Sequence, residues 1–280
     1  MREESFAAQT ISPLSFPLFF SIANLITWSS SYDENEMESS QKKRFIAYDA
    51  YEQLADAYAE QVDTKPHNAY LERPATLSLL PDVRGMHVLD AGCGPGSKSE
   101  WLVKHGARVT AVDASPKMVE HAKKRLGDAV DIRLHDLQEP LSFLHDDTID
   151  LVIAPLVMDY IENWVPVFRE FRRILRKNGA LVLSVGHPFV DFLAKDAADY
   201  FKTEKVEMWW KTWGTPILMP SYRRPLDAIT EALHEAGFLI ERLIEARPTI
   251  DYQKADPEGY EKVSKRPSFI NIRAVKLPNE

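Results

Sequence analysis

In VLDAGCGPGSKSEWL (88–102), Gly92, Gly94 and Gly96 fall at alternate positions directly after an apolar run that ends with Asp90. Glycine loops of this kind bring backbone N–H groups close to a nucleotide-like ligand. A dinucleotide loop, G-x-G-x-x-G, needs its third glycine at position 97, and that residue is Ser97. A phosphate loop of the Walker type ends in Gly-Lys-Ser/Thr, and GPGSKSE contains no such triplet. A carboxylate at Asp90 would repel a pyrophosphate. It suits a ligand that carries an ammonium and a sulfonium. Asp113, 17 residues past Gly96, stands where an acid accepts hydrogen bonds from ribose hydroxyls. Asp136 closes a third run, RLHDL.

These groups need strands behind them and helices after them. MHVLDAG (86–92), RVTAVDA (108–114), VDIRLHDL (130–137), IDLVIAPLV (149–157) and ALVLSVG (180–186) are short apolar runs, read as strands. FLIERLIEA (238–246) and FINIRAVK (269–276) add two more. Helical spacing marks 44–62, 68–80, 98–106, 164–179 and 226–237. SPKMVEHAKKRLG (115–127) shows an N-cap serine, proline at the first helical position and a closing glycine. Such alternation predicts a doubly wound, mostly parallel seven-stranded α/β sheet covered on both faces. The last two strands have only an irregular segment between them, with a short helix at 257–265, so the last strand is expected to run antiparallel.

Composition narrows the class. The chain has 280 residues, 45% hydrophobic and 27% charged, with a formal net charge of −8. An acidic balance argues against a nucleic-acid partner. One cysteine, Cys93, excludes an intramolecular disulfide and cysteine-based zinc sites, and fits a reducing, cytoplasmic setting. No metal site is expected. Residues 11–28 are mostly apolar, but Pro13 and Pro17 break them and no cleavage site follows, so an extension is expected rather than a membrane or export segment. Residues 1–41 are read as that non-native-like or disordered extension, and 42–280 as the folded domain.

Residues 187–224 follow the fifth strand and hold eight aromatics, about a fifth of the segment against 10% for the chain. Ligands of open α/β sheets bind beyond the carboxyl ends of strands. The segment is therefore read as an aromatic lid, with an accessory core patch or a dimer surface as the alternative. Trp209, Trp213 and Tyr222, with Tyr48 of the first helix, are the candidate substrate contacts.

Taken together, VLDAGCGPG, VTAVDASPKMVEHAKKRL, LHDLQEPLSF and IDLVIAPLVMDYIENWVPVFREFRRILRKNGALVLSV resemble the class I S-adenosylmethionine-dependent methyltransferases. The similarity is to the broad group of small-molecule and quinone-type enzymes, over residues 45–276, and it implies a Rossmann-like fold. It implies that Gly92, Cys93, Gly94 and Gly96 bring backbone to the methionine part of S-adenosylmethionine, with Asp90 near its amino group. It places Asp113 on the ribose, Asp136 and Leu137 on the adenine, and Pro155 and Leu156 beside the transferred methyl. Tyr51, with Tyr48 and Tyr58 in the N-terminal helix that resembles the segment closing over cofactor and substrate in this family, and Arg73, for the carboxylate, complete the set.

Methyl transfer from a sulfonium is an in-line displacement that needs alignment and exclusion of water more than a base. If a base is used, His187 in SVGHPF is the candidate. The expected activity is methylation of a small apolar or aromatic molecule, at oxygen before carbon or nitrogen, by a monomer or homodimer. Two rivals are a catalytically silent donor-binding partner protein and an NAD-dependent oxidoreductase, which the glycine spacing disfavours. Arg223 and Arg224 either pair with acids or meet an anionic substrate.

Overall fold

A computed structural model describes residues 44–194 and 199–277. Residues 1–41, with the apolar 11–28, lie outside the described residues. The chain opens with α1 (Tyr48–Gln61), a π-helical turn (Asn68–Glu72) and α2 (Arg73–Ser78). The alternation follows: β1 (His87–Ala91), α3 (Ser97–Lys104), β2 (Arg108–Asp113), α4 (Pro116–Leu126), β3 (Asp131–Leu134), β4 (Ile149–Pro155), α5 (Trp164–Ile174) and β5 (Leu175–Gly186). Next come α6 (Pro188–Ala194), β6 (Glu204–Trp210), β7 (Ile217–Arg223), α7 (Leu226–Glu235), β8 (Phe238–Glu245), α8 (Ile250–Ala255), α9 (Pro257–Val263) and β9 (Phe269–Lys276).

Seven strands form one sheet in the order β3-β2-β1-β4-β5-β9-β8. β1 to β5 pair in parallel, and β9 runs antiparallel to both β5 and β8. Side chains that alternate along each strand feed two cores. Leu89, Val152 and Leu181 face Phe168 and Phe171 of α5 and Leu233 of α7. Val88, Ile153 and Val182 face Leu102 of α3 and Val119 and Ala122 of α4. α4 starts as its sequence dictates: Ser115 Oγ accepts from the Met118 N–H at 3.1 Å.

Three expectations need adjusting. The helix expected over 68–80 is split, because a π turn precedes α2 and Pro74 sits in the first turn of the latter. The helix expected over 164–179 stops at Ile174. Leu175 already pairs with Ile149, whereas Leu151 pairs with Ala180, so 176–179 bulge out around Asn178 at φ 66°. Residues 187–224 are also more regular than read. They contain α6 and a two-stranded sheet in which β6 and β7 pair antiparallel from Glu204↔Arg223 to Trp210↔Ile217. That hairpin packs on α1: Trp213, Ile217 and Met219 join Ala47, Ala50 and Leu54 in a separate apolar cluster.

Candidate active site

The loop after β1 is fixed by its own backbone. The N–H groups of Gly92 and Cys93 both donate to the Val112 carbonyl, at 2.8 and 2.9 Å, which folds the loop onto β2. Gly92 has φ 74°, and a Cβ there would stand 2.4 Å from Val157 Cγ2. Gly96 has φ 86° and packs on α4, where a Cβ would stand 2.7 Å from Leu126 Cδ1. Both positions exclude a side chain on conformation and on space. Beyond this loop, at the carboxyl ends of β1 to β4, lies a cleft.

The strand-end acids line it. Asp90 is buried, and its Oδ2 accepts from Ser99 Oγ at 2.6 Å. Its Oδ1 is buried with no hydrogen-bond partner. Burial pushes the Asp90 carboxyl up to about 6. Asp113 accepts from the Gly94 N–H at 2.8 Å and the Ser115 N–H at 2.9 Å. Burial outweighs those two bonds and lifts its carboxyl to about 6 as well. Asp136 accepts from the Gln138 N–H at 2.9 Å, which fixes the turn after β3 and sets Leu137 against the cleft. At the end of β4, Leu156 takes φ 56°, uncommon for a branched residue, and its N–H donates to Ser184 O at 2.9 Å.

The opposite wall comes from α1 and the segment after it. Tyr51 Oη donates to Tyr160 Oη at 2.8 Å, with the rings edge to face. Burial raises the Tyr51 hydroxyl well above the ordinary phenol range. Tyr58 lines the cleft and stacks on Trp213 with centroids 4.7 Å apart. Arg73 Nη2 donates to Val62 O at 3.2 Å and Asp63 Oδ1 at 2.9 Å, while its Nε is buried with no partner. Asp63 also pairs with Arg125 of α4, at 2.7 Å. Glu52 of α1 accepts from Ser115 Oγ at 2.5 Å, and Asp56 pairs with His121 at 2.8 Å. α1 is thus fastened along α4.

Of the donor-site residues expected from sequence, Tyr51, Arg73, Asp90, Gly92, Cys93, Gly94, Asp113, Asp136, Leu137, Pro155 and Leu156 line this one cleft. Gly96 does not. It starts α3 and allows the close approach of α4. Cys93 is packed, with its thiol raised by burial, and contributes backbone. Tyr58, expected in the closing segment, lines it too, and Lys98, Tyr160 and Phe45 line the cleft outside the expected set. Lys98 carried a signal, since it follows the glycine loop in the first turn of a helix. Tyr160 carried none.

The expected base is misplaced. Gly186 still pairs with Phe269, so β5 carries His187 toward β9 and β8 instead of over the cleft. There His187 Nε2 meets Glu245 Oε1 at 3.1 Å, and the residue is not part of the cleft lining. The four expected substrate contacts also stand outside the lining. Trp213 backs Tyr58, Trp209 is 56% exposed, Tyr222 Oη reaches Glu162 at 3.4 Å, and Tyr48 lies under Arg44. The hairpin braces the cleft wall from behind because its apolar face is used against α1. The two arginines are structural: buried Arg223 bonds Glu204 and three carbonyls, and Arg224 bonds the Ile161 and Glu162 carbonyls and stacks over Trp164.

Residues 89–183 match the family model of a methyltransferase domain. The chain is 28% identical to an uncharacterized protein of Haemophilus influenzae, over 75% of this chain and 89% of that one. It is 31% identical to the malonyl-[acyl-carrier protein] O-methyltransferase of Hamiltonella defensa, but over only 47% of this chain and 51% of that enzyme. The crystal structure of an S-adenosylmethionine-dependent methyltransferase from Mesorhizobium loti superposes with a TM-score of 0.61 at 26% identity, over 77% of this chain and 100% of that one. This strand order, with its one antiparallel strand and its acids at successive strand ends, defines the class I methyltransferase architecture. The chain is accordingly an S-adenosylmethionine-dependent methyltransferase.

The lining fits that donor. Three carboxylates on adjacent strands can meet an ammonium, a ribose and an adenine, and the orphaned Asp90 Oδ1 and Arg73 Nε match an ammonium and a carboxylate. Among the described residues no group of His, Cys, Asp and Glu could hold a metal ion, and no helix is long and apolar enough to cross a membrane.

Proposed function

We propose that the protein methylates a small apolar or aromatic molecule at oxygen. The observation that carries this is the wall facing the strand-end acids: Phe45, Tyr51, Tyr58, Tyr160 and Ile161, with no arginine available from 221–224. An acceptor placed there meets rings and the phenol hydroxyls of three tyrosines. The Hamiltonella relative is an O-methyltransferase, which supports oxygen as the acceptor atom.

When bound, S-adenosylmethionine supplies an electrophilic methyl on a good leaving group. The chain's own part is placement. Asp90 would hold the ammonium, Asp113 the ribose hydroxyls, Asp136 and the Leu137 backbone the adenine, and Arg73 the carboxylate. The Gly92–Gly94 backbone leaves room for the sulfur side. Pro155 and Leu156, rigid at the end of β4, would border the methyl, and Tyr51 and Tyr58 close the cleft against water. Proton abstraction is not assigned to a side chain. Burial keeps the Tyr51 hydroxyl neutral. His135 sits beside Asp136 after β3, about 14 Å from β4 at three strand spacings. An acceptor that ionises readily, such as a phenol or a carboxylic acid, suits such a site.

Two measurements test this reading. S-adenosylmethionine and S-adenosylhomocysteine should raise the melting temperature and NADH should not. S-adenosylhomocysteine release should then be screened over phenols, quinols and small carboxylic acids. Release confined to polypeptide or nucleic-acid acceptors would overturn the small-molecule assignment.

A further inference from the structure

Glu72 is fully buried at the end of the π turn. Its Oε1 accepts from Thr76 Oγ1 at 2.6 Å and from Ser184 Oγ at 2.7 Å. Asn271 Nδ2 in turn donates to Thr76 Oγ1 at 2.8 Å. The carboxylate is therefore fixed from α2 and β5, and β9 braces it through Thr76. Its Oε2 faces Lys98 Nζ at 3.2 Å without a well-aligned hydrogen bond. Lys98 stands in the first turn of α3 and lines the cleft.

We propose that Glu72 is a positioning residue that holds the Lys98 ammonium beside Asp90, where Lys98 and Arg73 together bind the carboxylate of the donor's amino-acid part. The proposal rests on the assignment of S-adenosylmethionine to this cleft.

Place in the sheet supports it. Asp136, Asp113 and Asp90 follow the strand order β3-β2-β1, and Ser184 and Asn271 lie on β5 and β9, on the other side of β1. Glu72 and Lys98 are thus at the end of the cleft remote from Asp136. Asp90 and Lys98 line the same cleft, and the Asp90 carboxyl lies within electrostatic reach of both charges, Lys98 lowering it and Glu72 raising it. In an α-amino acid the ammonium and the carboxylate share one carbon. If Asp90 takes the ammonium, the carboxylate falls among the neighbours of Asp90, and there only a cation spares it repulsion. An ammonium has three N–H donors, so one facing Glu72 leaves others for a ligand. A lysine at a cleft edge samples many rotamers. A buried carboxylate fixed by two hydroxyls removes that freedom before the ligand arrives.

Calorimetry on the full chain separates this role from simple neutralisation of a buried charge. The two probes are S-adenosylhomocysteine and methylthioadenosine, which keeps adenine, ribose and sulfur and lacks the amino-acid part. Glu72→Gln and Lys98→Met should each weaken S-adenosylhomocysteine about tenfold and leave methylthioadenosine within about twofold. Should a single variant fail to fold, the double variant leaves no uncompensated buried charge and should show the same selective loss, no larger than that of Lys98→Met. Unchanged S-adenosylhomocysteine affinity in folded Lys98→Met or in the double variant overturns the proposal. Equal loss of both probes does so too. If the unmutated protein binds neither probe, the donor assignment itself falls and takes the proposal with it.

Discussion

The two walls of the cleft are made of different material. On one side, β1, β2 and β3 end in carboxylates, and glycine backbone fills the space between them. On the other, Tyr51 and Tyr58 of α1 line the cleft and are backed ring against ring by Trp210 and Trp213 of the β6–β7 hairpin. The first wall is held by directed bonds such as Gly94 N–H to Asp113, whose geometry admits little change. The second is held by apolar contact, which accepts any ring of about the right size. The matched methyltransferase domain, 89–183, covers the first wall and stops before the hairpin. On the proposed function, a donor common to many enzymes would be read by the rigid wall, and an acceptor particular to one enzyme would fall to the adaptable wall.

The sharpest way to break this contrast is Gly92→Ala. It forces an L side chain to φ 74° and into Val157, so S-adenosylhomocysteine affinity should fall more than about a hundredfold, with a loss of about 3 kcal/mol in stability. Binding that survives intact would show the donor wall to be as adaptable as the other. Acidification should act next. Asp90 and Asp113 have folded values near 6, above those of the unfolded chain. In the ligand-free protein their stabilising contribution is therefore full below about pH 4 and lost as pH rises through 6. A ligand ammonium needs Asp90 ionised, so donor affinity should run the opposite way and weaken by up to about tenfold per unit below pH 6. Asp90→Asn should flatten that profile; an unchanged slope in calorimetry between about pH 5 and 8 would remove Asp90 from it.

On the aromatic wall the effects should be smaller and fall on the acceptor. Trp213→Leu removes the stack under Tyr58 and should cost about 2 kcal/mol by chemical denaturation, with donor affinity within about threefold and a raised acceptor KM. A large loss of donor affinity would mean the two walls are not separable. His187→Ala should do least. Its side chain meets Glu245 away from the cleft, so turnover should stay within about twofold. A large fall in kcat alone would restore the catalytic role that the sequence suggests.

The same contrast decides what could be read from sequence. Strands and their end acids follow from local pattern, because each apolar run ends where its carboxylate begins. Asp90, Asp113 and Asp136 were legible for that reason. Gly96 was legible as a glycine but not in its task, which depends on Leu126 thirty residues away. His187 misled because adjacency to a strand end does not say which neighbour the strand leans toward, and Gly186↔Phe269 pairing settles that. The aromatics of 187–224 were legible as a cluster. Their partner, α1, lies more than a hundred residues upstream, and no periodicity marks such a contact. Glu72 was invisible: an acid amid apolar residues shows nothing of Ser184 or Asn271.

β9 is the last described strand in sequence, yet it lies inside the sheet, between β5 and β8. A nascent chain emerging from the ribosome can pair β1 to β5 as it appears, but β8 has no neighbour until Phe269–Lys276 follows. Until then the β5 edge is open, and the positions later filled by Ile270, Ile272 and Ala274 are missing from the core. Asn271, which tethers Thr76 beneath the cleft, arrives in the same few residues. Completion of the sheet and completion of the cleft floor are therefore one late event in biosynthesis, and a chain cut short before residue 269 loses both together.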